Sequence, residues 1–236
     1  AIDGSLRRLG TAYIDLYQLH WPDRPIPWGS NPTIYQAQPP AVDEVPVAET
    51  LAALGDLVKA GKIRHVGLSN ESAWGTMTFL KESEMKGLPR VASVQNAYSL
   101  VNRTNETALA EICLREDVGL LPYSPLAQGY LTGKYLDGAR PAGARTTLFN
   151  RGQRYEKPGT DVAIRAYLAL AREFGLDPAQ MALAFVNSRP FVAANIIGAT
   201  TMAQLKTNIA SVDVTITPEL EERINAIHQL HMNPAP

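Results

Sequence analysis

Five short apolar segments alternate with longer amphipathic stretches along this chain of 236 residues. The short segments are rich in β-branched and aromatic residues and are followed by polar or turn residues, as buried strands are. They span residues 13–19, 63–68, 91–95, 118–122 and 194–197. Strands that alternate with helices predict right-handed βαβ units and a parallel sheet.

The intervening stretches carry the periodicity of helices. Residues 47–60 carry an apolar face of Leu51, Leu54, Leu57 and Val58. They end before Gly61, a residue type that favours the left-handed conformation at a helix C-terminus. The same reasoning predicts helices over residues 2–9, 71–86, 102–115, 160–175, 178–187, 202–212 and 218–231.

Two architectures accommodate this order, a doubly wound sheet and a (β/α)8 barrel. The Gly-x-Gly-x-x-Gly signature of a doubly wound nucleotide-binding sheet is absent, and residues 129–134 fail the spacing of a phosphate-binding loop. Polar residues gather instead where the strands end, which is typical of a barrel. Since a barrel needs eight strands, we predict an α/β fold with an incomplete (β/α)8 barrel, the C-terminal portion of a single domain over residues 1–236. A helix that starts the chain directly after Ala1 favours a missing upstream segment, and a processed natural terminus is the alternative.

Composition excludes several classes of protein. The formal net charge is −1, which removes the electrostatic footprint of a nucleic-acid or polybasic membrane-surface protein. Cys113 is the single cysteine, so an intramolecular disulfide and a cysteine-built zinc site are excluded. His228 and His231 lack a third ligand nearby, and we predict no metal site. With no long apolar run and no signal sequence, we expect a soluble cytoplasmic protein without nucleic-acid or membrane partners.

Polar side chains lie where the predicted strands end. A histidine in the position of His20 can hydrogen-bond a substrate carbonyl or shuttle a proton, and a structural role fits equally well. Ser69, Asn70 and Gln95 carry the donors and acceptors that recognise a planar amide, although Asn70 is also placed to cap the next helix. Tyr123 suits stacking on an aromatic ring or packing in the core.

Two long connections, residues 21–44 and 126–157, suit lids or binding loops. Trp21 and Trp28 either line an aromatic substrate entrance or pack within the first connection. Lys134 and Arg145, in the second, either clamp a phosphorylated ligand or are solvated surface cations.

Residues 196–208 have the order strand, loop and helix, which is typical of an anion-binding site. Backbone N–H groups around Gly198 and Thr200 are expected to be free and to point at a phosphate. Gln204 and Asn208 lie four residues apart and therefore share one face of the helix.

Ten runs, taken in chain order, carry a family resemblance: SLRRL (5–9), IDLYQLHWP (14–22), AGKIR (60–64), GLSN (67–70), VQN (94–96), LTGKY (131–135), LDPAQMALAFV (176–186), GATT (198–201), QLKTNI (204–209) and PAP (234–236). Together they resemble the aldo-keto reductases, most closely the bacterial Tas-like group. The resemblance covers essentially the whole chain. It implies a (β/α)8 barrel, an NADP(H) cofactor and reduction of a small-molecule aldehyde or ketone to an alcohol.

The resemblance also implies roles for individual residues. His20 matches the active-site histidine. Residues that hold or pack against the nicotinamide are matched by Ser69, Asn70, Gln95 and Tyr123. The loop beside the cofactor is matched by Ser124, Pro125, Leu126 and Gln128, with Lys134 near the pyrophosphate. The pocket for the adenosine end and its 2′-phosphate is matched by Arg145, Gly198, Thr200, Gln204, Thr207 and Asn208.

Two departures from the family pattern affect these expectations. Gly198 stands where many members carry a lysine, which leaves Arg145 and Gln204 as phosphate partners and weakens the preference for NADPH over NADH. The family's proton-donating Tyr, with its Lys and Asp, precedes the matched segment, and none maps here. We therefore expect no appreciable turnover from these 236 residues alone, since loss of a general acid removes about 10²–10⁴ in rate.

Two other functions fit the same residues. One is an NADP(H)-binding sensor or partner subunit with little turnover. The other is a (β/α)8 enzyme of unrelated chemistry, which would not respond to NADPH. The oligomeric state and the substrate are left open.

Overall fold

The computed structural model describes residues 1–26, 37, 39, 41–151 and 153–236, and these form two compact units. The first unit contains residues 1–96 and 107–120, and the second contains residues 97–106 and 121–236. Within the described ranges, no helix has the length and apolar character needed to cross a membrane. Trp28 lies outside the described residues.

A parallel sheet forms the centre of the first unit. Its strands, in spatial order, are β1 (Ile14–Leu19), β2 (Ile63–Ser69), β3 (Val91–Gln95) and β4 (Gly119–Leu120). Every neighbouring pair is parallel. The predicted α/β class and parallel pairing are confirmed, while the strand predicted over residues 118–122 is two residues long.

The described part of the first unit contains four helices: α1 (Ile2–Leu9), α2 (Val47–Lys59), α3 (Ala73–Lys86) and α4 (Leu109–Arg115). Ile2 and Leu54 pack with Ile63 and Val66 in a buried cluster, so α1 and α2 cover one face of the sheet. Burial of each such aliphatic side chain stabilises the fold by roughly 1.5–3 kcal/mol.

Helix α3 begins two residues later than predicted. The Ser72 hydroxyl accepts a hydrogen bond from the Gly75 N–H and caps the helix. Asn70 instead adopts a left-handed conformation with φ 55° and lies outside the helix. The interpretation of Asn70 as a helix cap is therefore wrong, because a serine closer to the first turn satisfies the free N–H.

Cys113 offers a test of how tightly α4 packs. The side chain is 4% exposed, and burial raises the pKa of its thiol from 9.0 to about 11. At about pH 8 only about a thousandth of the thiol is then the reactive thiolate. We expect Ellman's reagent to label the folded protein far more slowly than the chain unfolded in guanidinium chloride. Equal labelling rates would contradict the packing of α4.

Among its described residues, the second unit has five helices: α5 (Arg145–Phe149), α6 (Thr160–Glu173), α7 (Pro178–Asn187), α8 (Met202–Ile209) and α9 (Pro218–Leu230). Asp177, Thr201 and Thr217 cap α7, α8 and α9 through their side chains. The predicted helix over residues 202–212 ends early and continues as a 3₁₀ turn.

The strand predicted over residues 194–197 is wrong. Ile196 forms a single parallel bridge to Tyr123, which also bridges Ala97. Ile196 and Ile197 are partly exposed, so their apolar character does not reflect burial in a sheet. The expected total of five strands therefore becomes four within the described residues. The second long connection also contains α5 and three short 3₁₀ turns.

Candidate functional site

The ends of three neighbouring strands meet in one hydrogen-bonded group in the first unit. Ser69 lies beside Gln95 in the β2–β3 register, and its Oγ donates to the Gln95 carbonyl at 2.9 Å. The Gln95 side-chain amide donates to Gln18 Oε1 at 2.9 Å, and the Gln18 amide donates to the Leu68 carbonyl at 3.2 Å. Gln95 Oε1 has no hydrogen-bond partner among the described residues, so it can accept from a ligand.

Gln18 was not predicted to belong to this group. Its signal in the sequence was the alternation that places it on the same strand face as His20. Gly67 makes the approach possible, because a Cβ there would lie 2.6 Å from Ser93 Oγ and 2.9 Å from Gln18 Cγ. The glycine thus leaves room for Gln18 to reach Gln95.

Asn70 joins the strand ends through both its backbone and its side chain. Its N–H donates to the Gln95 carbonyl at 3.0 Å. Its Nδ2 donates to the His20 carbonyl at 2.9 Å and to Ser69 Oγ at 3.2 Å. The first unit therefore brings together four of the predicted residues, His20, Ser69, Asn70 and Gln95.

His20 directly follows β1, and its side chain is exposed. Its imidazole lies 5.8 Å from the Trp21 ring, centroid to centroid, with 39° between the planes. Trp21 also lines a cavity of about 240 Å³ in the first unit, together with Ser69 and Phe79. An accessible imidazole beside an aromatic ring is suited to contact a small polar ligand.

In the second unit, the loop after Tyr123 is strained. Ser124, Ala127 and Gln128 have φ of 57°, 50° and 55°, a left-handed conformation that costs about 1–3 kcal/mol for each residue other than glycine. Hydrogen bonds across the turn hold this shape, including one from the Ala127 N–H to the Ser124 carbonyl at 2.8 Å. Pro125 is buried and Leu126 is half-buried. Strain maintained by surrounding contacts is typical of a functional loop.

Two side chains of this loop are poised for a polar ligand. Gln128 Oε1 is buried and has no hydrogen-bond partner among the described residues. Lys134 is half-buried, and no carboxylate of the described chain pairs with its ammonium. The lysine fits against Gly129, since a Cβ there would lie 2.7 Å from Lys134 Cε. A buried acceptor and an unneutralised cation on one loop favour a charged, hydrogen-bonding ligand.

The loop over residues 198–201 is closed by α8. Gln204 Oε1 accepts from the Thr200 N–H at 2.9 Å and from its hydroxyl at 3.0 Å. Asn208 Nδ2 donates to the Gly198 carbonyl at 3.2 Å. The predicted common face of Gln204 and Asn208 is confirmed. The prediction of free amides is wrong for Thr200, because Gln204 already occupies its N–H.

The remaining predicted residues of the second unit do not take part in the contacts between the 198–201 loop and α8. Thr207 contributes its carbonyl, which accepts from Gln180 Nε2 at 3.2 Å. Arg145 begins α5 and is exposed, with no ion pair to any described carboxylate. Tyr123 is half-buried, and its ring centroid lies 6.0 Å from the Arg154 guanidinium carbon.

The Aldo/keto reductase family model matches residues 1–229. This chain belongs to that family. It is 50% identical to Protein tas of Escherichia coli over 237 residues, covering all of this chain and 68% of that protein. It is 39% identical to an aldo-keto reductase of Babesia bovis, covering 97% and 85% of the two chains. It is also 29% identical to the NADH-specific methylglyoxal reductase of Escherichia coli, covering 92% and 59%.

Membership in the aldo/keto reductases confirms the family predicted from the sequence, whose fold is a (β/α)8 barrel, and supports oxidoreductase chemistry. The family generally binds NAD(P)H. The residues of this aldo/keto reductase fit such a ligand in chemical terms. In the first unit, Gln95 Oε1 lacks a hydrogen-bond partner among the described residues. The second unit, considered by itself, has an unpartnered Gln128 Oε1 and a Lys134 ammonium without a described carboxylate.

Proposed function

We propose that this chain carries the cofactor-binding residues and the active-site histidine of an NADPH-dependent aldo/keto reductase that reduces aldehydes or ketones to alcohols. The observation that carries the proposal is the group formed by Gln18, Ser69, Asn70 and Gln95. The unpaired Gln95 Oε1 and the second N–H of the Gln95 amide match a planar carboxamide, which needs both an acceptor and a donor.

Each residue of the first unit has a distinct part in this function. Gln95 Oε1 accepts from the amide N–H of the nicotinamide. Ser69 and Asn70 contact the carboxamide oxygen, each by exchanging one of the hydrogen bonds that it now donates within the group. When bound, the reduced nicotinamide supplies a hydride for the carbonyl carbon of the substrate. His20 donates a hydrogen bond to the carbonyl oxygen and so orients the substrate. Trp21 lines the substrate entrance.

The second unit supplies the residues for the rest of the nucleotide. Tyr123 packs against the nicotinamide ring, and the loop containing Ser124, Pro125, Leu126 and Gln128 runs beside the cofactor. Lys134 neutralises the pyrophosphate, for which a half-buried lysine without a described carboxylate partner is suited. The adenosine end is held by Gly198, Thr200, Thr207 and Asn208.

Arg145 and Gln204 are proposed to bind the 2′-phosphate that distinguishes NADPH from NADH. Arg145 is exposed and has no described carboxylate partner, which suits a phosphate contact. Gly198 stands where many relatives carry a lysine, and one similar relative is described as NADH-specific. The preference for NADPH is therefore proposed to be modest.

The fold and setting of this function are also proposals. The strand ends line the mouth of a (β/α)8 barrel that forms one domain. Turnover is proposed to need the family's Tyr, Lys and Asp in addition to His20. The single buried cysteine and balanced charge support a cytoplasmic enzyme that acts on small carbonyl compounds.

Titration of this chain with NADPH and with NADH, followed by nucleotide fluorescence, tests the proposal. We expect NADPH to bind, and Arg145→Met to weaken NADPH binding about tenfold while leaving NADH unchanged, because a charged hydrogen bond to phosphate is lost. Arg172→Met is the control, since Arg172 is also exposed and has no ion pair with any described residue.

Three results would count against these assignments. Failure of the unmodified chain to bind either nucleotide would contradict the function. Equal weakening of both nucleotides by Arg145→Met would remove Arg145 from the 2′-phosphate site. A matching effect of Arg172→Met would show that the loss reflects overall charge rather than a contact.

A further inference from the structure

A buried ion pair connects the segment after β1 to the start of α3. The Arg24 guanidinium donates to both carboxylate oxygens of Glu71, with Nη1 3.0 Å from Oε2. Its Nη2 also donates to Ser72 Oγ at 2.9 Å. The side chains of Arg24 and Glu71 are only 13% and 2% exposed, so water does little to weaken this contact.

Glu71 is held by other groups as well. Its carboxylate accepts from the Ser72 N–H at 2.6 Å. Its N–H donates to Asn96 Oδ1 at 3.1 Å, and its carbonyl accepts from Asn96 Nδ2 at 2.8 Å. The Arg24 guanidinium carbon lies 4.8 Å from the Trp74 ring centroid. These contacts fix the residue that directly follows Asn70.

The pair completes a closed set of contacts around two proposed site residues. Arg24 lies four residues after His20, and Glu71 lies one residue after Asn70. Asn70 Nδ2 in turn donates to the His20 carbonyl at 2.9 Å. Movement of the Arg24 segment would therefore pull on His20 from one side and on the left-handed backbone of Asn70 from the other.

We propose that Arg24 and Glu71 are positioning residues that hold the His20 imidazole and the Asn70 carboxamide in place. This inference rests on the proposed function for the roles of His20 and Asn70. A buried ion pair adds little net stability compared with apolar packing, but it fixes geometry when its hydrogen bonds are satisfied. Here the Glu71 carboxylate receives hydrogen bonds from Arg24 and from Ser72.

An ion pair between β1 and β2 themselves provides a matched control. Arg64 of β2 contacts Asp15 of β1 at 2.5 Å, and its guanidinium carbon lies 4.0 Å from the Tyr13 ring centroid. It therefore makes the same kinds of contact as Arg24. It differs in being exposed and in lying at the opposite ends of the strands from His20 and Asn70.

The experiment compares the double variant Arg24→Met/Glu71→Gln with Arg64→Met/Asp15→Asn in this chain. Removing both charges avoids leaving a buried unpaired ion. We expect the first variant to bind NADPH about tenfold more weakly, comparable to the loss of one hydrogen bond to the ligand. It should also shift the NMR resonance of the His20 imidazole. Among the resonances of the four histidines, this one is identified by its absence from the spectrum of His20→Gln. The control should change neither property.

Arg24→Lys keeps the charge but cannot form the forked contact, and we expect a smaller effect in the same direction. This variant serves as the test if the double variant does not fold. Unchanged NADPH affinity and an unmoved His20 resonance in a folded variant would overturn the proposal, as would equal effects in the control. If the unmodified chain binds no NADPH, the proposed function fails, while the His20 resonance still decides whether the pair positions that residue.

Discussion

Gly75→Ala is expected to lower the free energy of unfolding by about 3–5 kcal/mol, the cost of breaking a buried ion pair. A Cβ on Gly75 would overlap Glu71 Oε1 and lie 2.5 Å from Arg24 Nη2. Neither group can move into solvent without leaving its partner, because Glu71 is almost completely buried. The expected result is an earlier urea transition followed by circular dichroism.

Gly4→Ala is the matched control, because Gly4 also lies in the first turn of a helix. Its Cβ would meet Arg8 Nη1 at 3.2 Å, and Nη1 is the far end of an exposed, flexible side chain. We expect this variant to be unchanged or slightly more stable, since alanine favours helix over glycine by about 0.5–1 kcal/mol. Equal stability of Gly75→Ala and the unmodified protein would contradict the overlap expected between the new Cβ and the Arg24–Glu71 pair.

Arg103→Met is expected to lower the free energy of unfolding by about 3–5 kcal/mol, because it leaves a carboxylate without its ionic partner in a mostly buried place. Arg103 donates to both oxygens of Glu106, at 2.8 and 2.7 Å, and to Asn225 Oδ1 at 2.8 Å. Its side chain is 8% exposed. The Tyr98 hydroxyl also donates to Glu106, and burial raises the pKa of Tyr98, so it stays a neutral donor.

The control for Arg103 is Arg223→Met. Arg223 likewise makes two contacts of 2.8 Å with one carboxylate, that of Glu173, but both side chains are about half exposed. Its removal should move the urea transition little, since solvent and salt screen exposed ion pairs. A similar loss in the two variants would mean that burial does not set the strength of the Arg103–Glu106 contact.

Local patterns in the sequence were sufficient for much of the fold. The segments that became β2 and β3 are short, β-branched and followed by polar residues, and their boundaries agree with the structure to within one residue. The same reasoning failed for residues 194–197, which are apolar but partly exposed and pair only at Ile196. An apolar run predicts burial, and it does not say whether a neighbouring strand has the matching register.

In the candidate site, too, some contacts were predictable from the sequence and others were not. Ser69 and Gln95 were predictable because polar residues that end adjacent parallel strands meet at one edge of the sheet. The contacts of Gln18 with Gln95, and of Arg24 with Glu71, join residues 77 and 47 positions apart. No periodicity connects positions so distant in the chain.

The order of strands and helices, the family and the chemical types gathered at the strand ends all followed from the amino-acid sequence, because periodicity and motif spacing are local properties. Which of those side chains touch was decided by the tertiary structure. Strand register brought Ser69 to Gln95, the space beside Gly67 admitted Gln18, and burial turned Arg24 and Glu71 into a fixed pair. Hydrogen bonds and ion pairs act over only a few ångströms, so they form only after folding has brought distant residues together.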